Sequence, residues 1–263
     1  MNLTRSKKKD LLYVAVAAFF FLTACVLQTV DDYISDWSVK KTIALLTQYI
    51  FFGLLAYWTA SVISRISDKS ICSGIIVAIA LMGVILFVRL LKYHVFYEET
   101  ATRYLWYSYY IPQCIAPVVL LLTILGMGRQ EGRPLSKGWY MLFLPAAMLI
   151  ILVFTNDLHE QVFSFAEGLE YSNKIYKWEW GYYLILSWMV GLYLSIGVLL
   201  YVKCRISWCR KKAWIPLVLF VTCFILCVLR EVFDPSFIRM PEAVVFSVVI
   251  VFESLIRIGF IPS

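Results

Sequence analysis

Few residues in this chain have the type and spacing to do chemistry. It has two histidines, His94 and His159, and lacks a Gly-rich phosphate loop, a His-Glu-x-x-His zinc helix and a Gly-x-Ser-x-Gly elbow. No pair of carboxylates inside an apolar stretch shares a helix face. Cys223 and Cys227 fall at i, i+4, but with no histidine or acid beside them they read as packing residues rather than zinc ligands. No metal, cofactor or catalytic group is therefore assigned, and an enzyme is not the expected class. Three polar constellations remain. The first is Thr155-Asn156-Asp157-Leu158-His159-Glu160. On a helix Asn156 and His159 lie at i, i+3 and face the same way, with Asp157 two residues from the imidazole. Such a group could bind a small polar ligand or respond to pH. The other reading is a helix end re-entering water, its polar residues satisfying the last free carbonyls.

The second constellation is the run Arg103-Tyr104-Leu105-Trp106-Tyr107-Ser108-Tyr109-Tyr110-Ile111-Pro112, with five aromatics in seven residues. Pro112 and Pro117 disturb the helix just below and free carbonyls for other partners. A pocket wall or hinge formed by Trp106, Tyr107 and Tyr110 is one reading, and an interfacial aromatic belt is the other. The third is Glu253 with Arg257 at i+4, a carboxylate about ten residues into an apolar stretch. A lone charge there costs a few kcal/mol, about 2.5–3.5 on insertion scales, and the acid-before-base order suits a helix pair. A local pair that permits insertion is one reading; the other adds a contact to a neighbouring helix that changes with signalling.

The elements that must position these residues are membrane helices. Apolar residues make up 62% of the 263 and charged residues 16%, and the mean hydropathy is +0.79. This excludes a soluble globule, a disordered chain and a disulfide scaffold. Eight apolar stretches are long enough to span hydrocarbon: 11–30, 42–64, 70–88, 104–128, 138–156, 181–202, 213–229 and 243–261. None alternates as a barrel strand does. The expected fold is all-α, a polytopic transmembrane bundle of eight spans, or seven if the first is removed. Residues 1–10 form a basic amino terminus. Residues 11–30 are a first span or a lipoprotein-like signal, because Leu22-Thr23-Ala24-Cys25 resembles a lipobox. Residues 42–261 form the bundle, with no soluble domain.

Loop charge gives the orientation. With the amino terminus on side A and the stretches alternating, side A carries 14 cations and side B nine, while side B holds 13 of the acids. Cation-rich loops stay cytoplasmic, so both termini are expected inside, and the +7 net charge is topological rather than a nucleic-acid patch. The longest outer connection, 157–180, reads as a partly ordered flap.

Arg103-Tyr104-Leu105-Trp106-Tyr107 through Pro112, the stretch Phe154-Thr155-Asn156-Asp157-Leu158-His159, Gly181-Tyr182-Tyr183 and the closing Glu253-Ser254-Leu255-Ile256-Arg257 through Pro262 together resemble the membrane region known as the histidine kinase N-terminal seven-transmembrane domain. The resemblance runs from the second stretch to the end. It implies a bacterial plasma-membrane sensor that binds an unknown ligand at its outer face and signals inward. Asn156, His159, Trp106, Tyr107 and Tyr110 match its pattern positions, and Glu253 and Arg257 lie on the helix that leads to the output. The sequence departs from a whole kinase: it contains no ATP-binding domain and both histidines fall on the outer side. Output would pass through a further domain, a cytoplasmic kinase or response-regulator partner, or a homodimer in the bilayer. The alternative function is a small-molecule transporter, disfavoured here by a thin intramembrane polar set of Gln48, Gln113, Ser187, Ser195 and Glu253, and by the lack of an internal repeat.

The orientation has a direct test. A periplasm-active phosphatase fused within 157–180 should be active and one fused after Ser263 inactive, with a fluorescent reporter giving the converse.

Overall fold

The computed structural model describes residues 2–127, 135–165, 176–203 and 240–259, with scattered positions between 211 and 225; its side chains are described from Tyr13 onward. The helices are α1 (Asn2–Tyr33), α2 (Trp37–Arg65), α3 (Lys69–His94), α4 (Glu99–Ser108), α5 (Tyr110–Gly126), α6 (Phe143–Phe154, entered through a 3-10 turn, Lys137–Leu142), α7 (Asn156–His159), α8 (Trp180–Lys203) and α9 (Met240–Ile258). The molecule is an all-α bundle. Among the described residues the departure from all-helix is a two-stranded antiparallel ribbon, β1 (Phe163–Phe165) and β2 (Tyr176–Trp178), inside the connection expected to be a flap.

Helix starts are set by local chemistry. The Asp36 carboxylate accepts from the Ser38 and Val39 N–H groups at 2.8 and 3.1 Å, and Asp68 repeats this with Ser70 and Ile71 at 2.8 and 3.2 Å. Each covers two of the donors that a helix amino terminus leaves open. The break between α4 and α5 falls at Tyr109. Pro112 explains it: the ring has no N–H to give the Ser108 carbonyl four residues back and its bulk excludes that carbonyl.

Six described helical stretches are long and apolar enough to cross a membrane: 13–31, 37–65, 69–94, 99–126, 137–154 and 180–203. This differs from the expected eight. The seventh expected stretch, 213–229, lies mostly outside the described residues. The eighth is present as α9, 19 residues long, and differs from the six in carrying three charged residues, Glu242, Glu253 and Arg257. Another difference concerns the predicted 89–103 connection. α3 continues to His94, so Arg89 and Lys92 are buried helical residues and only 95–98 bridge to α4.

α3 and α5 form the centre. α5 packs on α3, α6 and α8, and α3 packs also on α2, α4 and α9. Outward faces remain apolar: Phe19, Leu22, Val26, Phe87, Met148, Ile151 and Val198 are each more than half exposed. Aqueous exposure of so much apolar area would be costly, and lipid tails remove the cost. Hydroxyls within the spans bond their own preceding turn, as Thr23 does to the Phe19 carbonyl, Thr59 to Leu55, Ser187 to Tyr183 and Ser195 to Gly191. Ser187 and Ser195 therefore face outward, self-satisfied, and do not belong to an interior polar set.

The α3–α5 seam depends on one glycine. A Cβ at Gly74 would lie 2.8 Å from Thr123 Cγ2 and closer still to its Oγ1. Close helix approach through a small residue is a recurrent packing device in membranes. Gly74→Ala is expected to lower stability by about 1–3 kcal/mol through overpacking, read as a lower melting temperature in detergent. Adding Thr123→Ala should recover part of that loss.

Candidate functional site

The helices alternate in direction, so the bundle has two ends. The A end holds Arg65, Gly126 and Lys203, and the B end holds His94, α4, the ribbon and the start of α9. Contacts confirm the pairing of these termini. At the A end Lys203 Nζ donates to the carbonyls of Ile124, Leu125 and Met127 at 2.7–2.9 Å. It covers the open carbonyls at the end of α5, where the helix dipole favours a cation. Between the ends, the Trp188 indole N–H donates to the Cys114 carbonyl at 3.4 Å, one residue along from the carbonyl that Pro117 leaves without its usual N–H.

At the B end the sequence-expected residues meet. Thr155 interrupts the helix, and α7 follows as a single turn that ends on Glu160 in a left-handed conformation (φ 48°). Asn156, fully buried, holds the ribbon in place. Its Oδ1 accepts from the N–H groups of Val162 and Phe163 at 2.9 and 3.0 Å, and its amide donates to the Phe163 carbonyl at 2.9 Å and to the Tyr107 hydroxyl at 3.4 Å. Tyr107 in turn donates to Asp157 Oδ1 at 2.7 Å, and Arg103 pairs with Asp157 Oδ2 at 3.2 Å.

This arrangement inserts Phe163 among the aromatics. Its ring lies 4.5 Å from Trp106, 5.7 Å from Tyr110, 5.7 Å from Tyr176 and 6.0 Å from Tyr182, and it stacks on Tyr107 at 6.4 Å. Gly181 lets the chain close here: its N–H donates to the Gln161 carbonyl at 2.9 Å, and a Cβ would meet that oxygen at 2.8 Å.

Asn156, Asp157, Trp106, Tyr107 and Tyr110 are thus brought together. They hold one another and the ribbon, rather than lining an open mouth. His159 stands apart. Its Nε2 is 3.2 Å from Thr155 Oγ1 and its Nδ1 accepts from the Gln161 N–H at 3.0 Å, so the expected interaction with Asp157 is replaced by these two. Asp157 turns to Tyr107 and Arg103 because α7 is a separate turn, not a continuation of α6. Phe163 and Arg103 complete this cluster. Arg103 opens the aromatic run that drew attention to the region, whereas nothing in the local sequence marks Phe163.

Toward the A end, Glu253 of α9 is gripped from two helices. Arg65 gives it two bonds, Nη1 to Oε1 at 2.9 Å and Nη2 to Oε2 at 2.6 Å, the Trp58 indole donates to Oε2 at 3.1 Å, and Arg257 Nε donates to Oε1 at 2.7 Å. The i+4 pair with Arg257 is present. The cross-helix partners, both on α2, carry three of the four bonds.

Comparison with known proteins gives no match: no family model, curated protein or solved structure matches the chain.

The division of labour at the B end is measurable. Asn156→Ala strands three buried backbone groups and is expected to cost about 3 kcal/mol or more, seen as a large fall in melting temperature. His159→Ala, at a partly exposed position with only local bonds, should leave expression and melting nearly unchanged.

Proposed function

We propose that the chain is a membrane-embedded sensor module that relays a conformational change through its last described helix. The observation that carries this reading is the hold on Glu253. Buried charge in a membrane helix is costly unless paired, and Arg257 alone would suffice for insertion. The forked Arg65 contact and the Trp58 indole instead tie α9 to α2. A bidentate guanidinium–carboxylate pair has a defined geometry, so α9 has a preferred seat against α2, and leaving it exchanges these bonds for others. Such a seat suits a two-position relay. Further support comes from the resemblance of 103–112, 154–159 and 253–262 to the input region of bacterial sensor kinases. On that reading both ends are cytoplasmic, the B end faces outward, and the output is a kinase domain or partner.

A second reading, a small-molecule carrier, is favoured by Arg89, Lys92 and Glu242, which are buried within or at the ends of the helices. Ionisable groups at such positions commonly mark solute pathways. Solute uptake into proteoliposomes beyond that of empty vesicles would favour the carrier.

For the sensor, Glu253→Gln keeps shape while removing the charge that Arg65 grips. In a hybrid carrying a kinase output, this substitution is expected to fix the output in one state, either constitutively on or unresponsive, at normal membrane abundance. A Glu253→Gln hybrid that responds like the parent would overturn the relay.

A further inference from the structure

Three aromatic rings locate a second polar layer that neither the Asn156–Phe163 cluster nor the α2–α9 contact uses. Phe21 of α1, Phe51 of α2 and Phe246 of α9 meet with centroids 5.0–6.2 Å apart. Moving toward the B end along each helix brings a buried polar residue onto the same face. On α1 it is Gln28, seven residues on; on α2 it is Gln48, three residues back; on α9 it is Glu242, four residues back. α3 closes the layer. Gln48 donates to the Leu86 carbonyl at 3.0 Å, and Arg89, one turn further along, forms an ion pair with Glu242. The Tyr109 hydroxyl, at the α4–α5 turn, lies within electrostatic reach of Arg89.

Many polar side chains elsewhere in the described spans find partners on their own turn or on a neighbour, as Thr59, Ser187, Ser195 and Lys203 do. Here several do not. Both polar atoms of Gln28, the Tyr109 hydroxyl and Glu242 Oε2 are buried with no hydrogen-bond partner, and Gln28 and Glu242 are 4% and 0% exposed. Each such group costs about 1–3 kcal/mol when left unmade. Their chemistry is complementary in kind. Glu242 Oε2 and the Gln28 carbonyl need donors, while the Gln28 amide and the Tyr109 hydroxyl need an acceptor. The carboxylate of the layer, Glu242, is balanced by Arg89, so the pair leaves no net charge to draw a simple ion.

We propose that this layer between α1, α2, α3 and α9 is a binding site for a small zwitterion of the α-amino acid class. The solute's ammonium donates to Glu242 and the Gln28 carbonyl, and its carboxylate accepts from Tyr109 and the Gln28 amide. As the input site of the sensor the proposal deepens that reading and rests on it, but binding is measured without any output, so the two can fail separately.

The test uses the full chain in lipid nanodiscs, titrated calorimetrically with each of the twenty common L-amino acids, with potassium chloride and sodium acetate as simple-ion controls. At least one amino acid should give saturable heat and raise the melting temperature, and the simple ions should not. Glu242→Gln should weaken binding tenfold or more. Because that change also disturbs Arg89, Gln28→Leu is the decisive variant. It removes an unmet buried amide, so the ligand-free protein should melt at the parent's temperature or above it, while the ligand-induced shift is lost. Saturable binding by no amino acid would overturn the proposal, the layer then holding water only. So would a Gln28→Leu protein that melts lower than the parent or binds as the parent does.

Discussion

Hydrocarbon offers no hydrogen bonds, and that single constraint organises this molecule. Backbone groups meet it by forming helices. Side chains meet it in three graded ways. Hydroxyls turn back on their own helix, as at Thr59 and Ser195. Long donors reach a neighbour's backbone carbonyls, as Lys203 does at the end of α5 and Gln48 does on α3. Full charges pair across helices, as Glu253 does with Arg65 and Glu242 with Arg89. Packing then fills the remaining space, and α3 and α5 come close because Gly74 has no side chain to hold them apart.

The same constraint explains the B end. A connection that re-enters the bundle must have its backbone groups met by protein, and Asn156 does this for Val162 and Phe163. One amide side chain supplies both an acceptor and a donor, which few residue types can do. Phe163 then fills the space between Trp106, Tyr107 and Tyr110, and the aromatic density that looks excessive for an interfacial belt becomes a packed plug. An aromatic pair adds about 0.5–1.5 kcal/mol beyond its buried area, so this cluster is a rigid closure of the bundle rather than a soft rim.

How much was legible in the sequence varied with the range of the interaction. Helix class and rough boundaries follow from apolar runs, a local property, and they were readable. The Glu253–Arg257 pair is local and was readable too. Asn156 and His159 were both expected to approach Trp106, Tyr107 and Tyr110 because all lie at the same end of their helices; Asn156 does so while His159 bonds Thr155 and Gln161 instead, and the network's purpose was not legible because Phe163 carries no local signal. The end of α3 was misplaced because Arg89 and Lys92 look like loop residues until their partners are known. Arg89 finds Glu242 more than 150 positions away, a separation at which no spacing rule operates. The same holds for Arg65 and Trp58, which appear in sequence as an ordinary loop cation and an ordinary aromatic. Asn156 and His159 look alike by spacing, and only the break at Thr155 separates a fully buried structural amide from a partly exposed imidazole.

The two carboxylates of α9 have a mechanical consequence. Glu242 and Glu253 are eleven residues apart, close to three full turns and about 16 Å along the axis, and so they project from nearly the same side of the helix. One is tethered to α3 and the other to α2. A stiff rod pinned at two points on one side cannot spin about its long axis without losing both pins at once. It can tilt, with either pin as fulcrum, so that displacement of α3 near one end loads the α2 contact at the other. Rotation of α9 about its own axis is thereby the motion that its two ion pairs most oppose.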